Sequence, residues 1–143
     1  MELAAFLWVL GTVPVAMAGG GTVGLGPQPW LLLSLEPLQL FIGAGEPTVG
    51  GRLRILTGPW FAWLDLPPPR IALGRAIGPA WLALVRGLAD LNLAWEVMAS
   101  SHLALFGSLG HENACGLRFR WTPLWAAALI RHGGLTLWCG LYF

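Results

Sequence analysis

Four ionisable residues stand in largely apolar sequence and could carry proton chemistry. Asp65, Arg86, Asp90 and Glu96 have mostly hydrophobic neighbours. A carboxylate removed from water holds its proton more tightly and can exchange it near neutral pH, which is what a proton relay requires. These four residues are therefore predicted as proton-relay candidates. The alternative, that each acid simply pairs with an arginine, stays equally open.

The relay candidates need an element that brings them together, and a helix over residues 71–98 would do so. At about 100° per residue, Arg75, Arg86, Asp90 and Glu96 fall within roughly 120° of arc on one helix face. A charged stripe on an apolar helix is expected to face a protein interior or a wet cavity. A structural ion-pair network, a proton- or ion-relay surface and a helix lying flat at the interface are the three interpretations left open.

The composition predicts contact with lipid. Hydrophobic residues make up 56% of the 143 residues, charged residues 10%, and there is no lysine. A water-exposed surface needs roughly a quarter or more of its residues charged. The net charge of +1 supplies no field for nucleic acid. The expected partners are therefore a lipid bilayer and other hydrophobic subunits of a membrane complex, and no nucleic acid.

The apolar runs predict a single all-α membrane domain over residues 1–143. It would have about three to four transmembrane helices and Gly/Pro-rich loops, because the runs are continuous rather than alternating. Residues 121–143 predict an extra C-terminal span, since 23 residues are long enough to cross a bilayer. Residues 3–18 resemble a signal peptide, but Glu2 and the lack of positive charge favour a retained first span.

The sequence matches no common enzyme or metal-binding motif, so neither catalytic residues nor a metal site are predicted. His102 and His132 could be haem or metal ligands, although ordinary polar contacts are favoured. Cys115 and Cys139 fit no metal-ligand spacing and are predicted to be buried free thiols.

Three short motifs resemble a known family. The loop Gly45-Glu46-Pro47-Thr48-Val49-Gly50-Gly51-Arg52-Leu53 resembles the loop after the first span of chain 3 of NADH:ubiquinone oxidoreductase, respiratory complex I. That family has Gly-Phe-Asp/Glu-Pro there, followed by small residues and Arg-Leu. Trp63-Leu64-Asp65-Leu66 is similar to its Phe-Asp-Leu-Glu, and Leu93-Ala94-Trp95-Glu96 to its Leu-Ala-Tyr-Glu. Residues 100–143 have no counterpart in the family.

This resemblance implies a small membrane subunit of a respiratory-chain complex. The subunit would contribute helix packing and a proton-translocation track, and it would not be catalytic alone. Glu46, Pro47 and Arg52 would form the quinone-side loop, with Asp65 and Glu96 beside the proton pathway. No cofactor would be bound by the chain itself, with ubiquinone nearby. The implied location is the mitochondrial inner membrane or a bacterial-type energy-transducing membrane.

Two alternatives accompany this interpretation. Residues 72–78, with Arg75 and Gly78, and residues 111–118 are similar to motifs of the cytochrome b membrane anchor of succinate dehydrogenase. The other alternative is a non-catalytic accessory or scaffold subunit of a membrane complex.

Overall fold

In the part of the chain that the structure describes, twelve segments of five to nine residues form antiparallel strands, and each strand pairs with its neighbours in the sequence. The computed structural model describes residues 21–25, 29–35, 37–43, 49–56, 59–66 and 69–143. The strands are β1 (Gly21–Leu25), β2 (Trp30–Leu35), β3 (Leu38–Gly43), β4 (Val49–Leu56), β5 (Trp60–Leu66), β6 (Arg70–Ile77), β7 (Ala80–Arg86), β8 (Leu91–Met98), β9 (Leu103–Gly110), β10 (Ala114–Trp121), β11 (Leu124–Arg131) and β12 (Gly134–Tyr142). Because β12 also pairs with β1, the sheet closes into a barrel.

The predicted all-α fold is wrong. Residues 71–98, expected as one helix, form β6, β7 and β8, and residues 121–143, expected as a spanning helix, form the end of β10 with β11 and β12. Within the described residues, no helix has the length and hydrophobicity needed to cross a membrane.

Apolar side chains occupy both faces of several strands, and this concealed the strands in the sequence. In β7, Trp81, Ala83 and Val85 are buried, whereas Leu82 and Leu84 between them are exposed. Successive side chains of a strand point to opposite faces, so one set faces the interior of the barrel. Because both sets are apolar in β7, the strand reads as a continuous hydrophobic run.

The register sets the geometry of the barrel. Following the pairing once around all twelve strands returns to β1 about 14 residues further along, which corresponds to a strand tilt of roughly 40°. The tilt lies within the range typical of closed antiparallel barrels. A strand of eight residues then rises about 20 Å along the barrel axis.

Among the turns that the structure describes, those at the two rims of the barrel differ in chemistry. The odd-numbered strands end at one rim, whose turns include residues 87–90, 111–113 and 132–133. These turns hold Asp90, His111, Glu112 and His132, so we call this end the charged rim. The opposite rim contains the turns 78–79, 99–102 and 122–123.

Aromatic side chains lie over glycines on neighbouring strands. The Cα partners Gly24 and Trp30 on β1 and β2 are one such pair, and Gly116 and Phe106 on β10 and β9 are another. A Cβ built at Gly116 would lie 2.7 Å from Cζ of Phe106, closer than real Cβ atoms approach. The ring therefore occupies the space that a glycine leaves open, an arrangement that pins strand register in barrels.

A hydrophobic cluster fills much of the interior. Its larger buried members are Trp63, Trp81, Phe106, Trp125 and Trp138, from β5, β7, β9, β11 and β12. Alanines at facing positions complete the cluster, so large and small inward side chains interdigitate.

Candidate functional site

A buried ion pair joins β4 and β5 inside the barrel. Arg52 and Asp65 are Cα partners, and their side chains are 1% and 3% exposed. Arg52 donates from Nε to Oδ1 of Asp65 at 2.7 Å and from Nη2 to Oδ2 at 3.0 Å. The indole N–H of Trp63 donates to the same Oδ2 at 3.3 Å, and the guanidinium of Arg52 lies 4.5 Å from the Trp63 ring centroid. Both oxygens of Asp65 are therefore committed to partners within the chain.

A second buried ion pair joins β8 and β10 across the intervening strand β9. Arg118 Nη2 on β10 lies 3.0 Å from Oε2 of Glu96 on β8. The Cα partner of Arg118 on the intervening strand is Ala104, whose small side chain leaves room for the guanidinium to pass. Sequence reasoning did not pair Arg118 with Glu96, because the two lie 22 residues apart and only the pairing of three strands brings them together.

Asp90 and Arg86 do not join these pairs. Arg86 is exposed on the outer face of β7. Asp90 lies in the turn at the charged rim, where its Oδ2 accepts a hydrogen bond from Nδ2 of Asn92 at 3.4 Å. Arg75 also faces outward, 5.1 Å from the ring centroid of Trp60. The prediction of a single charged stripe is wrong. Two turns separate its members, and because successive side chains of a strand point to opposite faces, the members do not share one face of the barrel.

The expected quinone-side loop is only partly described. Glu46 and Pro47 lie outside the described residues, and Arg52 belongs to the interior of β4. Asp65 and Glu96 are both inward-facing, although each has its own arginine. Proton exchange at these acids stays a prediction.

An ion pair and a histidine contact lie together at the charged rim. Glu112 Oε2 is 3.3 Å from Nε of Arg131 and 3.4 Å from Nε2 of His132. Its backbone N–H donates to Oδ1 of Asn92 at 2.8 Å, which ties the β9–β10 turn to the start of β8. The sequence offered no signal for this group, since its members come from three separate hairpins.

The inward face of the barrel is rich in arginine. Six arginines lie at inward positions of the described strands, whereas Asp65 and Glu96 are the inward acids of those strands. The six are Arg52, Arg54, Arg70, Arg118, Arg120 and Arg131. Arg75 and Arg86 lie on the outer face.

The outer face has the opposite character. Each of the twelve strands contributes at least one exposed large hydrophobic side chain, for example Leu84 on β7 at 55% and Leu137 on β12 at 61%. The described part of the chain thus places buried charges inside an outer surface that is apolar apart from Arg75 and Arg86.

A shallow apolar groove of about 420 Å³ interrupts this outer surface where the barrel closes. Residues of β1, β10, β11 and β12 line it, including Leu25, Trp121, Ala126, Cys139 and Leu141. The groove exists because Ala126 and Cys139, which are Cα partners, are smaller than the leucines around them.

The histidines and cysteines form no metal site. Within the described residues, there is no group of three or more His, Cys, Asp or Glu that could hold a metal ion. Nδ1 of His102 lies 3.0 Å from the carbonyl oxygen of Arg120, an ordinary polar contact. Cys115 and Cys139 are free, as predicted, but they are exposed on the outer face, so the expectation of burial is wrong.

No protein-family model, curated protein or solved structure matches the chain. The function predicted above must be corrected on the fold alone. The respiratory-chain subunit, the succinate dehydrogenase anchor and the helical scaffold subunit all presuppose spanning helices, whereas Trp63–Leu66 and Leu93–Glu96 lie in strands of a barrel.

Proposed function

We propose that this chain is an integral membrane protein that crosses a lipid bilayer as a closed β-barrel with a filled interior. One observation carries the proposal: large apolar side chains are exposed on every described strand, while two arginine–carboxylate pairs are buried inside the barrel. This distribution is the reverse of a barrel dissolved in water, and it is the distribution expected when hydrocarbon surrounds the protein.

The energetics support the same environment. Exposed apolar surface in water costs about 25 cal/mol per Å², so a leucine-covered outer face would drive association or aggregation. In a bilayer the same side chains contact acyl chains at no such cost. A closed barrel also pairs its strands all the way around, which satisfies the backbone hydrogen bonds where no water is present.

The dimensions are compatible with a bilayer. The strand tilt gives an apolar belt of about 20 Å, close to the roughly 25 Å band of membrane barrels. Trp60 and Arg75 lie near the opposite rim, and Arg86 lies near the charged rim. Long cationic side chains near the edges of the belt can extend to the headgroups, and tryptophan favours the same level.

The filled interior distinguishes this barrel from an open pore. Trp63, Trp81 and Trp138 are at most 5% exposed although they point into the barrel. The proposed role is therefore that of a membrane-embedded barrel without a wide aqueous channel, whose interior contacts stabilise the fold.

Spin labelling at a native cysteine tests the membrane location. Cys115→Ser leaves Cys139 as the single thiol, on the outer face of β12. In lipid vesicles, a nitroxide there should collide readily with oxygen and rarely with a water-soluble nickel chelate. Ser101→Cys in a chain lacking both native cysteines provides the control, because this exposed turn should show the reverse. Equal nickel access at the two labels would refute the proposal.

Conductance tests the filled interior independently. The protein reconstituted in planar bilayers should show no steady, large ohmic conductance, since inward tryptophans of the described strands pack in a buried cluster. A stable conductance comparable to that of a wide pore would refute the filled interior, while leaving the membrane location to the spin-label result.

A further inference from the structure

A row of small side chains crosses the inner wall of the barrel from β6 to β9. Gly74, Ala83, Ala94 and Ser108 are successive Cα partners on these four strands. All four are buried, and Ala83 and Ala94 are each 1% exposed. Side chains of this size project only a short way into the interior, so they do not bury themselves. Another part of the protein must cover the row.

The width of the barrel determines how much material is needed to cover this row. Strands lie about 4.8 Å apart, so twelve strands tilted by about 40° enclose a cylinder roughly 24 Å across. The same spacing gives about 16 Å for eight strands, the number at which inward side chains just fill the interior. The inward cluster mixes tryptophan with alanine, so its members are not large enough on average to fill the wider barrel. The extra width of about 8 Å is close to the diameter of one helix with its side chains, about 10–12 Å.

The residues that precede β1 are the one undescribed stretch long enough to fill this space. The structure describes the chain from Gly21 onward, and each later gap has five residues or fewer. Residues 3–18 carry no charge, which suits a wall of tryptophan and alanine. As a helix, these residues would span about 24 Å, compared with the roughly 20 Å that an eight-residue strand rises along the barrel axis.

The start of β1 lies at the entrance to the interior. β1 begins at the rim opposite the charged rim, where Gly21 and Phe143 exchange backbone hydrogen bonds. A segment inside the barrel has to reverse direction there before it enters β1, and the glycines at 19 and 20 allow a tight reversal. Glu2, the only charged side chain before β1, would then reach the charged rim, where the inward Arg70 and Arg131 carry the opposite charge.

We propose that residues 3–18 cross the interior of the barrel and pack against the row of small side chains as a plug. This inference rests on the proposed membrane barrel with a filled interior, and it names the part of the chain that completes the filling. The apolar groove on the outer face also borders β1. Lipid acyl chains can fill that groove, however, whereas the closed sheet shuts the row of small side chains off from lipid.

A spin label at residue 10 distinguishes the interior from the other locations. Leu10→Cys in a chain with Cys115→Ser and Cys139→Ser carries the label in lipid vesicles. Inside the barrel, the label should collide several-fold less with oxygen than a label at the native Cys139. It should also collide several-fold less with the nickel chelate than a label at Ser101→Cys.

Frequent collisions of this label with oxygen would place the segment in lipid, and frequent collisions with the nickel chelate would place it in water. Either result would overturn the plug. The label at Cys139 reports the membrane location independently, so the plug can fail while the proposed function stands.

Disulfide cross-linking tests the contact without a bulky label. In the same cysteine-free background, Ala83→Cys, at the middle of β7, is combined in turn with a cysteine at each of residues 8–11. These four positions cover one helical turn at the middle of the segment. At least one pair should form an intramolecular disulfide under mild oxidation, detected by mass spectrometry of the linked tryptic peptides.

Leu84→Cys is the matched control, because Leu84 is the next residue of β7 but is exposed on the outer face. It should form no disulfide with residues 8–11. Equal cross-linking from both positions, or none from Ala83→Cys, would overturn the proposal. The intact mass of the membrane-bound protein should include residues 3–18, and a mass that lacks them would overturn the proposal as well.

Discussion

Replacing Leu84 by arginine tests what the outer face contacts. Leu84 lies on the outer face of β7, is 55% exposed and has Leu73 and Leu93 as its Cα partners. In water, exchanging an exposed leucine for arginine is neutral or favourable. In a bilayer the same change places a charge within the apolar belt, at a cost of about 2–4 kcal/mol for an arginine near the midplane. The two environments therefore predict opposite signs.

Leu91→Arg is the matched control. Leu91 is 50% exposed and is the first residue of β8, beside the charged rim, with the outward Arg86 as its Cα partner. An arginine at the edge of the belt extends to the headgroups and costs about 0–1 kcal/mol, and repulsion from Arg86 opposite adds about 0.2–1 kcal/mol. The two variants should thus differ by roughly one to two orders of magnitude in the folding equilibrium constant, since about 1.4 kcal/mol corresponds to a factor of ten.

Urea unfolding in the presence of phosphatidylcholine vesicles measures this difference. Tryptophan fluorescence reports the transition, and the denaturant slope must be the same in both variants for their midpoints to be compared. We expect Leu84→Arg to unfold at a clearly lower urea concentration than Leu91→Arg and the wild type. If Leu84→Arg is as stable as Leu91→Arg, the outer face does not contact hydrocarbon and the proposed membrane location is wrong.

Two further predictions use the same unfolding measurement. Arg52→Met and Asp65→Asn should each destabilise the chain by roughly 3–5 kcal/mol, because each leaves a buried partner without its ion pair. The double variant should lose less stability than the sum of the two single variants, and additive losses would contradict the pairing. Gly116→Val should destabilise by about 1–3 kcal/mol, because its side chain would clash with the Phe106 ring. Gly134→Ala, where the nearest atom is 3.5 Å from the new Cβ, is the control, and equal losses at both glycines would contradict the packing argument.

The unusual environment of this chain can be inferred from composition. The absence of lysine and the 56% hydrophobic content leave too few polar side chains to cover a surface in water. The exposed leucines on all twelve strands are the structural counterpart of that shortage. The sequence also indicated that Asp65 and Glu96 need partners, because an acid in apolar sequence requires a partner wherever it is placed.

The secondary structure could not be inferred in the same way. The prediction of helices rested on continuous apolar runs, and such runs arise in this barrel because many inward positions hold alanine, glycine or tryptophan instead of polar residues. In β11, for example, Trp125, Ala127 and Leu129 face inward while Leu124 and Ile130 face outward. Hydrophobicity therefore does not alternate along this strand, although the direction of its side chains does.

The partners of the buried charges depend on the tertiary structure, for a geometric reason. Helical spacing placed Arg86, Asp90 and Glu96 on one face, whereas a period of two with a turn sends Arg86 outward, Asp90 to the rim and Glu96 inward. The true partner of Glu96 comes from two strands away, and its selection depends on register and on the small Ala104 between them. Residue types alone thus established which groups need to be kept from hydrocarbon. Closure of the sheet established which groups meet, because contacts between strands depend on pairing and shear, and neither is encoded in local spacing.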